Sequence, residues 1–220
     1  MRYVDRADAG RQLAADVAAA LPPADRSRTL VLGVPRGGVV VASEIATRLA
    51  LELDVVLARK IGAPHNPELA IGAVGEDGSP ILDRRLMTRL GVSEDYLEST
   101  VAAELRELQR RMRRYRGSRP SPLIEGRAVI VVDDGVATGA TLRATLETTR
   151  RQNPAWLACA IPVGAPDSVA RIARDVDAMV CPLQPRSFRA VGEWYESFTQ
   201  TTDAEVMAAL QGRGEGRDNL

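Results

Sequence analysis

Four short apolar runs, "TLVLGV" (29–34), "DVVLAR" (54–59), "AVIVVD" (128–133) and "WLACAIPV" (156–163), constrain the fold more than any other feature of this chain. They are rich in β-branched residues and do not alternate polar with apolar. A strand with one wet face must alternate, because successive side chains point to opposite sides; unbroken apolar strands are covered on both faces. Helical patterns separate them: "GVVVASEIATRLALEL" follows the first, "GATLRATLETTRRQ" the third and "APDSVARIARD" the fourth, ahead of a last short run at "AMVCP". This alternation predicts an α/β fold, a doubly wound, mainly parallel sheet flanked by helices. Such sheets bind ligands in the crevice outside the carboxyl ends of their strands, so the residues just after each run matter most.

Two stretches interrupt the alternation. Residues 60–82, "KIGAPHNPELAIGAVGEDGSPIL", are dense in Gly and Pro around one short apolar run, which predicts a mobile excursion containing a small hairpin. Residues 93–117 predict a long helix capped by Ser93, with Arg106, Arg110, Arg111, Arg113, Arg114 and Arg116 crowding its second half. That cationic end reads as a solvated face complementing the helix dipole. No aromatic platform accompanies it, so nucleic acid is not expected as a partner. The segment "QGRGEGRDNL" (211–220) reads as a loose tail. Residues 1–220 are expected to form one domain, with its core at about 25–181, the excursion at 60–82 and a small C-terminal appendage at about 181–203.

With 220 residues, 45% of them apolar, the chain can bury one substantial core. Its 29 acidic and 29 basic side chains cancel, so no global field draws in nucleic acid or an anionic membrane, and a charged ligand must be held locally. No window reaches the ~18 apolar residues of a membrane span. The segment "MRYVDRADAGRQLAADVAAALPP" carries charges where a secretory signal needs its apolar core. A cytoplasmic location and no membrane partner are expected. Cys159 and Cys181 lie in apolar runs and read as buried thiols, not zinc ligands or a disulfide. Lys60 is the only lysine among arginines, and the only histidine, His65, lies five residues on. A compact ammonium does different work from a guanidinium fork, which makes both candidate functional residues; a chance leftover is the alternative.

The third run leads into "VIVVDDGVATGAT" (129–141). A carboxylate at the open end of a buried strand accepts hydrogen bonds without full desolvation, and Asp133 with Asp134 would suit neighbouring hydroxyls or a hydrated divalent cation. Adjacent strand residues face opposite ways, so the two can share a ligand only if the backbone begins to turn there, which Gly135 permits. The small residues after it, Ala137, Thr138, Gly139, Ala140 and Thr141, can wrap an anion with backbone N–H groups and hydroxyls at the positive end of the next helix. Acid pair beside anion cradle suits a sugar phosphate. A strand-to-helix turn with a capping Asp and a chance second acid is the plainer alternative. After the first run, Pro35, Arg36, Gly37 and Gly38 make a second tight turn into a helix, with bare amides and one guanidinium for another anion.

These two segments resemble the type I phosphoribosyltransferase family: "VIVVDDGVATGAT" is similar to its phosphoribosyl pyrophosphate signature and "GVPRGG" to its pyrophosphate loop, with the likeness covering roughly residues 29–181. The resemblance implies that Asp133 and Asp134 hold the ribose 2′ and 3′ hydroxyls, and that Gly135 and residues 137–141 wrap the 5′-phosphate. It implies that Arg36, with Pro35, Gly37 and Gly38, meets pyrophosphate and Mg²⁺, the acids touching the metal only through hydroxyls or water. It makes 60–82 a lid that brings Lys60 and His65 to the departing pyrophosphate. Ala140 stands where family members often carry Gly, Asn or Ser, a departure that spares the backbone donors. Carboxyls turned inward and locked to arginines would contradict this picture.

The acceptor is expected at the hood, "CPLQPRSFRAVGEWYESFTQ", which holds Phe188, Trp194, Tyr195 and Phe198, four of the eight aromatics. Their rings could stack a flat base; covering the sheet edge or a homodimer contact is the alternative. The implied function is transfer of 5-phosphoribosyl from phosphoribosyl pyrophosphate to a nitrogenous, base-like small molecule, releasing pyrophosphate. A non-catalytic sensor of phosphoribosyl pyrophosphate or a nucleotide is the competing reading, and it has less need of a lid.

Overall fold

The structure is a computed structural model that describes residues 2–22 and 28–211. Five parallel strands form its main sheet: β1 (Leu30–Gly33), β2 (Glu52–Val55), β6 (Ala128–Val132), β7 (Trp156–Ala160) and β8 (Ala178–Val180), in the order β2-β1-β6-β7-β8. Pairing is in register, with Gly33 opposite Val55 on one side and Val132 on the other. Val31 and Ile130 pack into one apolar layer, Leu30, Leu32, Val129 and Val131 into the other, so every position on β1 and β6 is buried. Hence the absence of alternation in the sequence.

Helices cover both faces. α2 (Gly37–Leu49) lies in the first layer, while α5 (Ala140–Arg150) and α6 (Pro166–Ile172) lie in the second. Two helices that strand periodicity did not announce join the first layer. α1 (Arg6–Ala20) is capped by Asp5, whose carboxylate accepts from Asp8 N at 2.7 Å, and buries Ala9, Leu13 and Val17 at helical spacing. α7 (Asp203–Gln211) contributes Val206 and Leu210. The tail proposed at 211–220 lies outside the described residues except for Gln211, which ends α7. Among the described residues no helix is long and apolar enough to cross a membrane.

The hairpin expected inside 60–82 is present and is larger than expected. β3 (Ala58–Ala63), β4 (Asn66–Gly75) and β5 (Pro80–Leu82) form a three-stranded antiparallel sheet with its own core, where Ile61, Ile71 and Val74 meet Met87 of α3 (Arg84–Leu90) and Leu97 of α4 (Glu94–Arg116). The run 54–59, read as one strand, is two. β2 stops at Val55, Val56 N still reaches Gly33 O at 3.0 Å, and Leu57 N turns to the Glu76 carboxylate at 3.2 Å before β3 begins.

α4 starts at the predicted Ser93 cap, which accepts from Tyr96 N at 3.3 Å. Its cationic end is only partly a solvated face. Arg110 and Arg111 pair with Glu107, and Arg114 pairs with Asp203. Arg116 is buried: it holds both oxygens of Asp54, the carbonyl of Val55, Ser121 and Glu76, tying β2, the end of β4 and α4 together. An arginine read for dipole complementarity is therefore an internal cross-tie.

Candidate functional site

The strand order reverses between β1 and β6, because the chain leaves β1 for β2 on one side and leaves β6 for β7 on the other. The crevice at their carboxyl ends is where such a sheet opens. Both predicted anion turns lie there. Val34 N donates to Val132 O at 2.8 Å, joining the Pro35–Gly38 turn to the base of the acid pair. The Pro35–Arg36 peptide is cis, and α2 begins at Gly37 with no side-chain cap. A Cβ at Gly37 would overlap Asp134 Oδ2, and one at Gly38 would stand 2.7 Å from Val132 O and 2.9 Å from Asp133 Oδ1. Only glycine lets the two turns approach this closely. Arg36 is half-buried and its guanidinium has no hydrogen-bond or ion-pair partner among the described residues, while its charge is near enough to Tyr115 to oppose the rise in that phenol's pKa.

The two carboxylates are each held by one oxygen. Asp133 Oδ1 accepts from Asp134 N at 2.8 Å, and Asp134 Oδ2 accepts from Arg6 Nε at 2.7 Å. The other oxygen of each accepts nothing from the described residues. The condition that would contradict the sugar-phosphate reading, acids locked inward to arginines, is met for one oxygen of Asp134 and not for Asp133. Burial pushes both carboxyls above the ordinary range; the Asp134 charge adds to the rise in Asp133, whereas Arg6 opposes the rise in Asp134.

Beyond the acids, Val136 N donates to Val163 O at 3.0 Å and Ser168 Oγ donates to Ala137 O at 2.6 Å, anchoring the loop from outside. Gly139 takes a left-handed φ of +78° and opens α5 without a side-chain cap, so the amides of the first turn have no internal acceptor. Ala137, Thr138, Ala140 and Thr141 are exposed around it. A groove of about 630 Å³ runs between α5 and the small sheet, lined by Lys60 and Ala140 together with Arg143, Arg150 and Arg151. Lys60 thus shares a groove with the first residue of α5. His65 does not line it; it occupies the exposed β3–β4 turn with φ of +62°.

The aromatic segment corrects one expectation. Tyr195 is buried, its ring 5.6 Å from that of Tyr3 and 4.9 Å from that of Phe198, and its hydroxyl donates to Asp134 O at 2.6 Å. It offers no open face for a base. Phe188 and Trp194 pack against the same cluster, with the Trp194 Nε1 buried and without an acceptor. Sequence reading also missed Arg6. Besides Asp134, its Nη1 donates to Thr199 O at 2.7 Å and its guanidinium lies 3.9 Å from the Phe198 ring centroid. An Asp5 cap ahead of an alanine-rich amphipathic stretch signals the helix; nothing local signals a partner 128 residues away.

A switch-point crevice with two uncapped turns and an acid pair is the candidate site of this α/β domain. The chain belongs to the phosphoribosyl transferase domain family, whose model matches residues 3–194. TT1426 from Thermus thermophilus, a crystal structure, is 44% identical, superimposes with a TM-score of 0.87, and is matched over 96% of this chain and 99% of that one. A provisionally named phosphoribosyl transferase of Mycobacterium tuberculosis H37Rv is 44% identical over 208 residues, 94% of this chain but 46% of the relative, so the chain spans about half the length of the curated relatives it matches. AQ2163 from Aquifex aeolicus, 12% identical with a TM-score of 0.51 over 85% of this chain and 78% of that one, shares the fold.

Proposed function

We propose that the chain transfers 5-phosphoribosyl from phosphoribosyl pyrophosphate to a nitrogenous, base-like acceptor, releasing pyrophosphate. The observation that carries this is the pair of single carboxylate oxygens, one on Asp133 and one on Asp134, left open between two helix N-termini. Two neighbouring hydroxyls need two acceptors. A 5′-phosphate on one side would take the amides of residues 137–141, and a pyrophosphate on the other the amides of Gly37 and Gly38 with Arg36.

Breaking the bond from C1′ to the leaving oxygen places positive charge on the sugar and negative charge on the pyrophosphate. Asp133 and Asp134 orient the ring by its hydroxyls and move no proton. Arg36, half-buried and unpaired, stabilises the leaving charge. Lys60 lines the groove that Ala140 also lines, and closure of the small sheet as a lid would bring it toward the reacting centre and keep water from the sugar cation. The donors suit Mg²⁺ carried in by the substrate: two single hard oxygens beside phosphate sites, and no group of three metal-ligating side chains among the described residues, match an ion that keeps its waters and phosphate ligands. When bound, it would neutralise the leaving phosphates.

The competing sensor reading loses support at α4, where four of the six arginines considered are engaged in ion pairs within the chain. The test is pyrophosphate release from phosphoribosyl pyrophosphate and Mg²⁺ across a panel of nucleobases, alongside binding to Asp133→Asn/Asp134→Asn. Turnover with a base, and loss of binding in the folded double variant, are expected. Undiminished binding in that variant would refute the ribose clamp; binding without turnover on any base would favour the sensor.

A further inference from the structure

We propose that Arg6 is a positioning residue for the acid pair, holding one oxygen of Asp134 so that the other stays aimed at the ligand, and that the Phe198–Thr199 segment fixes where Arg6 stands. The inference rests on the phosphoribosyl reading, because it assigns Asp134 a ligand to be aimed at.

Three contacts constrain the guanidinium. Nε binds Asp134 Oδ2, Nη1 binds Thr199 O, and the plane lies over Phe198. Its side chain is 12% exposed and that of Asp134 17%, so the pair is shielded from solvent on both sides. It also touches the first anion turn: a Cβ at Gly37 would stand 2.5 Å from Arg6 Nε as well as overlapping the carboxylate. A single cation thus abuts the acid pair and the pyrophosphate turn, and is supported by the opposite end of the chain. Lysine could supply the charge but not two directed N–H bonds and a flat face at once.

The charges around Asp134 explain why a fixed cation matters. Asp133 lies directly beside it, and the Tyr195 hydroxyl is spent on the Asp134 carbonyl. Glu205 feels Arg6 from α7, and Cys159 feels Asp133 from β7. Burial raises the proton affinity of both carboxyls, the Asp134 charge adds to the rise at Asp133, and Arg6 is the one cation bonded to either among the described residues. Without that bond no side chain among the described residues would fix which way the Asp134 carboxylate points.

The test is calorimetric titration of the full chain with phosphoribosyl pyrophosphate and Mg²⁺ at neutral pH. Arg6→Gln is expected to weaken binding roughly tenfold or more. Arg6→Lys, which keeps the charge but not the directed pair of bonds, should recover only part of the affinity; it carries the test if Arg6→Gln does not fold. In an Asp134→Asn background Arg6→Gln should cost nothing further. Wild-type affinity in Arg6→Gln, or an equal loss in the Asp134→Asn background, would overturn the proposal while leaving the phosphoribosyl reading intact. A wild-type chain that does not bind the compound would overturn both.

Discussion

The Tyr195 hydroxyl donates to the Asp134 carbonyl across 2.6 Å, so the backbone of the acid pair is gripped from the C-terminal segment as well as by its own strand. Burial pushes the phenol well above its ordinary value, so it is a neutral donor at neutral pH. Tyr195→Phe would leave a buried carbonyl unsatisfied. A loss of about 1–3 kcal/mol in urea unfolding is expected, with no pH dependence of its own.

A single methyl group should read out differently at two adjacent positions. Gly37→Ala collides with the far ends of the Asp134 and Arg6 side chains, which can swing away, so ligand affinity should fall while the melting temperature changes little. Gly38→Ala meets the backbone oxygen of Val132 and the Cα of Asp133, which cannot move independently of β6. It should destabilise the fold by about 1–3 kcal/mol. Comparing calorimetric affinity with thermal unfolding separates the two.

Arg116→Met should cost about 3–5 kcal/mol in chemical denaturation, because it strands Asp54 and Glu76 as buried charges. Burial raises Glu76 above its ordinary value of 4.5 in spite of Arg116. The folded state therefore binds the proton more tightly than the unfolded chain, and stability from this group falls as pH rises from the unfolded value through the folded one. Glu76→Gln should flatten that decline, measured as denaturation midpoints across the weakly acidic range.

Lys60→Ala should depress turnover more than substrate affinity, since the ammonium sits on the small sheet across the groove from α5. Steady-state kinetics against calorimetric binding checks this, and equal losses in both would argue against a closing lid.

The sheet was legible because its strands are short, apolar and covered on both faces, and the two turns because small residues lead those strands directly into helices. Ser93 announced α4 through a cap three residues from its partner amide. What escaped notice depended on contacts distant in sequence. Arg116 looks like its solvated neighbours until Asp54 and Glu76 fold around it, and Tyr195 looks like a stacking platform until Tyr3 and Phe198 cover it. The break at Val55 was hidden because Val56 and Leu57 remain apolar: each still packs into a core layer, though on opposite sides.

Tyr3 N donates to Trp194 O, Glu196 N donates to Tyr3 O, and Arg6 leans on Thr199, so an early and a late part of the described chain close together on Asp134. During synthesis the aspartates, both anion turns and most of the sheet are made well before the stretch that secures them. A nascent chain halted short of Thr199 would already possess every residue of the signature, yet could not keep the second acid pointed anywhere in particular.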